Sequence, residues 1–209
     1  MSYGQVVPHP LDPGRNPDIA LEGSSCCPTT GITCTEPSST SDRTGRVTRQ
    51  RREVYDRGNG ATVLLLDPVR DVVLLTRQFR VPIYLNGHHD GMLIETAGGL
   101  LDDGEVPETT IRREAEEETG FRPIEVHEAL RLYMSPGAVT EWLALFVATY
   151  DSTSPVGSGG GLDDEGEDIE LVELPRSEAF AMASDGRIQD AKTVLLLQWL
   201  QLHPDQFRT

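Results

Sequence analysis

Lysine is almost missing from this chain: Lys192 is the only one, so nearly all cationic chemistry must come from arginine. Basic side chains are few altogether, 18 against 34 acids, and the formal net charge is −16. Such a charge repels phosphate backbones and anionic membrane surfaces, which argues against nucleic acid or membrane as a general partner. A single nucleotide stays open, because arginine and metal can meet its phosphates locally. Cysteine is scarce too. Cys26, Cys27 and Cys34 are an odd count with an adjacent pair, a poor disulfide framework. With His9 they match no zinc-finger spacing, and free thiols are expected. No window of about twenty apolar residues occurs, so no membrane-spanning helix is expected. No basic and apolar leader opens the chain either, which makes the cytoplasm the expected location.

What is present is unevenly placed. Residues 1–42 are rich in Pro, Gly, Ser and Thr with few large apolar residues, and a tail without regular structure is expected there. A domain is expected over residues 43–205, since the length suits one domain with an appendage. Its first stretch, Asp42 to Arg57, crowds Arg43, Arg46, Arg49, Arg51, Arg52 and Arg57 into an island of positive charge. Val47, Val54 and Tyr55 read as an edge strand. A solvated strand and one that meets a substrate's phosphates or base both fit these residues.

Ala61–Leu66, a turn at Asp67-Pro68 and Val72–Thr76 read as a buried hairpin. Arg77 and Arg80 follow at its end as candidate substrate residues. His88 and His89 read as loop histidines rather than ligands, as no partner is spaced for zinc. Further strands are expected over Met92–Ala97, Ile124–Met134, Val139–Tyr150 and Ile169–Leu174. Ser154–Asp168 is glycine-rich and acidic and reads as a mobile flap. Ser177 and Asp190 are expected to cap two last helices, the second covering the sheet with Val194, Leu195, Leu197, Trp199 and Leu202. Strands interleaved with helices in this order predict an α/β sandwich, a mixed sheet with helices on its faces.

Gly99–Phe121 organises the rest. Asp102, Asp103 and Gly104 are turn residues, Pro107 suits a first helical position, and Gly120 suits a left-handed helix stop. Glu114, Glu117 and Glu118 stand at i, i+3 and i+4, so their carboxylates share one face. Like charges so placed repel, and a divalent cation relieves them; hard oxygen ligands suit Mg2+, with Mn2+ also fitting. Arg113 could pair with a carboxylate and hold it in position. A solvated acidic face is the alternative for the trio alone, but the surrounding pattern is fuller than that. Gly99-x5-Glu105-x7-Arg113-Glu114-Ala115-x-Glu117-Glu118-x-Gly120-Phe121 fills every fixed position of the Nudix box. The chain is identified by it as resembling the Nudix hydrolases, which implies hydrolysis of a nucleoside diphosphate linked to another moiety with magnesium or manganese.

Outside the box the chain resembles the GDP-mannose hydrolase branch, next to the ADP-ribose diphosphatases. The resembling stretches are Arg52–Ala61, Arg77–Val81, Asn86-Gly87, Tyr133–Glu141, Gly159–Gly161, Glu167–Glu170 and Asp190–Leu197. The resemblance implies GDP-mannose plus water giving GMP and mannose 1-phosphate, and a homodimer that exchanges N-terminal strands. Carried over by position, Glu114 and Glu118 are metal ligands with Glu117 close by, Arg113 orients them, and the Gly98 carbonyl is a further ligand. Glu167 matches the position that activates water or joins the metal set, with Glu165 as the fallback. Arg52, Arg77 and Arg80 match substrate-contacting positions. Two departures stand out. Gly98 replaces the family's usual alanine, and Cys26–Ser41, a poor strand former, replaces the strands exchanged in the dimer. ADP-ribose is the alternative substrate, and a nucleotide-binding protein without turnover is the alternative class.

Overall fold

The computed structural model describes residues 19–26, 32–41, 46–162 and 167–207, the first three strands up to residue 53 by main chain alone. By packing, the chain forms two units, Met1–Arg57 with Ser135–Thr140, and Gly58–Met134 with Glu141–Thr209.

The first unit is a three-stranded antiparallel sheet in the order β1 (Ile19–Cys26), β2 (Ile32–Ser41), β3 (Val47–Tyr55). The strands over Ile19–Cys26 and Ile32–Ser41 differ from the expectation there of a tail without regular structure and of a poor strand former; the rest of residues 1–42 lies outside the described residues. The centre of β2 pairs on both sides, so ladder hydrogen bonds outweigh its modest apolar content, and Ile32, Thr33, Thr35 and Thr40 are β-branched. The register between β2 and β3 shifts between Thr35 and Ser38, where Pro37 cannot donate to a ladder. After β3, Tyr55 donates to Ala138 O at 2.7 Å and accepts from Thr140 N–H at 3.1 Å.

The second unit is a seven-stranded mixed sheet with the order β10-β5-β4-β9-β8, to which β6 adds on β5 and β7 on β4. The strands are β4 (Gly60–Asp67), β5 (Val72–Phe79), β6 (Met92–Glu95), β7 (Ala97–Leu100), β8 (Val126–Tyr133), β9 (Trp142–Thr149) and β10 (Glu170–Pro175). Among the described strands of this sheet only β4 and β9 pair in parallel, so a crossover must link them, and the chain between carries the box helix α2 (Pro107–Thr119). Because side chains alternate along a strand, central β4 and β9 are apolar on both faces. Ala61, Val63, Leu65, Ala144, Phe146 and Ala148 pack with Ile111 and Ala115 of α2. Leu64, Leu66, Leu145 and Val147 pack on the other face with α3 (Arg176–Asp185) and α4 (Ala191–Leu202). This is the expected α/β sandwich.

Local details follow the sequence in part. Asp67 Oδ1 accepts from Val69 N and Arg70 N and closes the β4–β5 turn. Pro107 opens α2, and Gly120 ends it with φ 74. Asp190 caps α4 by accepting from Thr193 N at 2.9 Å. Ser177 does not cap α3: the helix begins at Arg176 behind Pro175, so Ser177 already lies in its first turn. On α4 the buried side is Thr193, Leu196, Leu197 and Leu200, spaced i, i+3, i+4 and i+7, while Leu202 is exposed. A short helix, α1 (Val81–Leu85), follows β5 and buries none of its residues.

Candidate active site

The site is built on α2. Ile111, Ala115 and Glu118 lie at i, i+4 and i+7 on its core-facing stripe, so Glu118 occupies a position where an apolar residue would ordinarily pack. It is 5% exposed, and it accepts from Gly98 N–H at 3.3 Å. Burial, with the Glu114 and Glu167 charges adding to it, pushes its pKa up to about 8. Burial raises Glu114 as well, against the pull of Arg113. Arg113 Nη1 donates to Glu114 Oε1 at 2.8 Å and to Glu117 Oε2 at 3.2 Å, and its Nη2 lies 3.7 Å from Glu105. Glu105 in turn accepts from Asp102 N–H at 3.1 Å, fastening the loop ahead of the helix.

Glycines make room for these carboxylates. A Cβ on Gly99 would collide with the Glu114 carboxylate, and one on Gly98 with the β4 backbone at Ala61 and Thr62. The glycine-rich segment after β9 closes on the end of α2: Gly160 N–H donates to Glu118 O at 2.8 Å, and Gly161 N–H to Glu117 O at 3.3 Å. Val156 and Gly157 donate to Gly120 O. These last carbonyls have no partner inside the helix, so the segment serves as its C-terminal cap. The expectation of a mobile flap is therefore corrected for Val156–Gly161, which is fixed by main-chain bonds. Gly161, at φ 81, sits so close to Glu167 that a Cβ would strike its carboxylate, and Leu162 N–H donates to Glu167 Oε2 at 3.2 Å. Glu167 thereby lies within electrostatic reach of Glu114 and Glu118. Glu165, the fallback, lies outside the described residues.

Buried, mutually repelling hard oxygens, with one arginine shared between two of them, are a donor set that fits a divalent cation of the magnesium class. The family model described as NUDIX domain matches residues 56–197. The chain belongs to the Nudix family. It is 56% identical over 157 residues to a protein of Klebsiella pneumoniae named GDP-mannose pyrophosphatase, covering 75% of this chain and 78% of that protein. Proteins of the same name from Salmonella arizonae and Pectobacterium atrosepticum are 54% and 56% identical, covering 77% and 75% of this chain and 82% and 79% of theirs.

The structure treats the three nominated arginines of this Nudix chain differently. Arg80 lies within electrostatic reach of Glu118, which it favours in the charged form. Arg77 is committed elsewhere, to Glu170 at 2.8 Å and Asp90 at 3.4 Å. Arg52 pairs with Thr35 through β3, and its side chain lies outside the described residues. The thiol reading of Cys26, Cys27 and Cys34 also lies outside them. His88 and His89 sit in a loop as expected and bring ligand atoms within 4.8 Å of one another together with Asp90. Asp90 already accepts from Met92 N–H and Arg77, so these contacts tie the loop to β5.

Sequence reasoning missed Glu95, at the end of β6. Its carboxylate is buried and accepts from Arg80 Nε and Lys192 Nζ, both at 2.6 Å. Lys192 also donates to Asp190 at 2.8 Å, and Thr193 reaches both Asp190 and Thr96 N–H. One signal was available: the chain's single lysine, between a helix cap and an apolar helix.

Proposed function

We propose that this protein hydrolyses the diphosphate bond of GDP-mannose, releasing GMP and mannose 1-phosphate. The observation that carries the reading is the complete box on α2, with Glu118 buried against Glu114 and Glu167, in a chain 56% identical to a GDP-mannose pyrophosphatase over 157 residues. Glu114, Glu118 and the Gly98 carbonyl, with Glu117 beside them, would hold Mg2+ or Mn2+. Such an ion, when bound, neutralises diphosphate charge and acidifies water. Arg113 orients Glu114 and Glu117 through its two hydrogen bonds. Glu167, seated by Leu162 N–H, accepts the proton of the attacking water or fixes its position for in-line attack at phosphorus. Arg80 meets the diphosphate, and Arg52 and Arg77 are further substrate contacts, Arg77 on exchanging its bonds to Glu170 and Asp90. We further propose a homodimer acting in the cytoplasm. Among the described residues no helix is long and apolar enough to cross a membrane.

The purified protein with magnesium should be offered GDP-mannose, ADP-ribose, other nucleotide sugars and a dinucleotide, with the products identified. GDP-mannose is expected to have the highest kcat/KM and to give GMP and a sugar phosphate. A clear preference for ADP-ribose would overturn the substrate and leave the diphosphatase activity. No hydrolysis of any by a folded, metal-bound protein would favour a nucleotide-binding role.

A further inference from the structure

Glu95 is buried to the same degree as the box carboxylate Glu118, yet it belongs to no box position. It joins two elements distant in sequence: the junction of β5 and α1, through Arg80, and the start of α4, through Lys192, 97 residues away. Its own side chain is 7% exposed and that of Lys192 is 17%, whereas that of Arg80 is 42%. The anchored end of this chain of charges is thus inside the protein and the other end faces solvent. Burial would drive the Lys192 ammonium to lose its proton, but Glu95 and Asp190 more than offset this and hold its pKa above the ordinary lysine value. Asp190 is fixed in turn as the α4 cap, where Thr193 N–H and Oγ1 both donate to it. Each carboxylate oxygen of Glu95 therefore has its own cation, and its rotamer is set from both sides. The Nε bond takes one of the five guanidinium donors of Arg80 and leaves the planar fork directed by that anchor.

We propose that Glu95 is a positioning residue for substrate binding: held from α4 by Lys192, it fixes the Arg80 guanidinium in the orientation that meets the diphosphate oxygens. This rests on the diphosphatase reading above. A free arginine side chain loses much rotamer freedom on binding, and an arginine already oriented loses less, so the effect belongs in substrate affinity.

The experiment compares Glu95→Asp, which keeps the charge and shortens the reach by one methylene, with Glu95→Gln, which keeps the reach and removes the charge. Steady-state kinetics with GDP-mannose and magnesium give kcat and KM, and thermal melts report folding. If Glu95 orients Arg80, both variants raise KM by about tenfold while kcat changes by less than about threefold. In an Arg80→Ala background, which itself raises KM, adding Glu95→Asp should change KM by less than about twofold, because the group it positions is gone. A purely electrostatic role gives a different pattern: Glu95→Gln lowers KM by removing a negative charge, and Glu95→Asp leaves it unchanged. A merely structural role lowers Tm and leaves KM of the folded fraction at the wild-type value. Either pattern, or a tenfold effect that persists without Arg80, overturns the proposal. Glu95→Asp carries the test if Glu95→Gln does not fold. A wild-type protein that hydrolyses no nucleotide sugar overturns the functional reading and this proposal together; an active wild type with an unchanged KM in Glu95→Asp overturns this proposal alone.

Discussion

Glu95 and Glu118 are equally buried, each 5% exposed, and lie in the same packed unit. Their surroundings are opposite. Glu95 has a cation on each oxygen, so its charge is met within the protein. Glu118 faces two further carboxylates and receives one main-chain N–H at 3.3 Å. A buried ionised carboxylate is costly unless paired, so the first arrangement is self-sufficient and the second is not. Burial alone therefore says little about the role of an acid in this fold. The local charge balance separates the glutamate whose charge is paired within the fold from the one whose charge the protein leaves largely uncompensated.

The largest test of that contrast removes the Glu118 charge. Glu118→Gln should lower kcat roughly a thousandfold, comparable to the ~3–4 kcal/mol lost with a key oxyanion donor, while the melt stays cooperative. Near-normal turnover in the purified variant would remove Glu118 from the catalytic set.

Stability against pH gives the next largest effect. Glu118 has a folded pKa of about 8 against an ordinary 4.5. The folded state therefore holds its proton more tightly, so its stabilising contribution is full below pH 4.5 and is lost as pH rises toward about 8. In chelator, the melting temperature should fall across that window, by the equivalent of a few kcal/mol at most. Added magnesium should restore stability at the alkaline end, and Glu118→Gln should flatten the slope. A chelated wild type whose melting temperature rises through the window would contradict the uncompensated charge described for this site.

The smallest effect reaches the acid cluster through the loop. Gly161→Ala places a side chain at φ 81 and against the Glu167 carboxylate, a conformation costing about 1–3 kcal/mol. We expect kcat to fall about tenfold with KM changed less, because Glu167 acts on water rather than on substrate binding. Equal losses in a control such as Gly104→Ala, where φ is also positive but no neighbour is near, would mean that backbone strain alone accounts for it.

The chain's own order of residues determined a good deal. Pro107, the trio Glu114, Glu117 and Glu118, and Gly120 lie within one loop and helix, so spacing alone reports their shared geometry. The apolar runs of β4 and β9 likewise announce strands buried on both faces. Tertiary structure decided the rest. The β-branched residues of Ile32–Ser41 are too few to announce a strand by themselves, and its partners on either side supply the ladder. The glycines at 159–161 read as a flap until α2's unpaired carbonyls are brought to them. That Glu118 lies deeper than Glu117 depends on which helix face meets the sheet, and the trio's spacing is silent on that. Glu95 and Lys192 stand 97 residues apart, and their pairing exists only because β6 and α4 fold to one end of the sheet. Short-range spacing fixes which side chains share a face, while the charge balance around a buried acid is a sum over elements that only the assembled fold brings together.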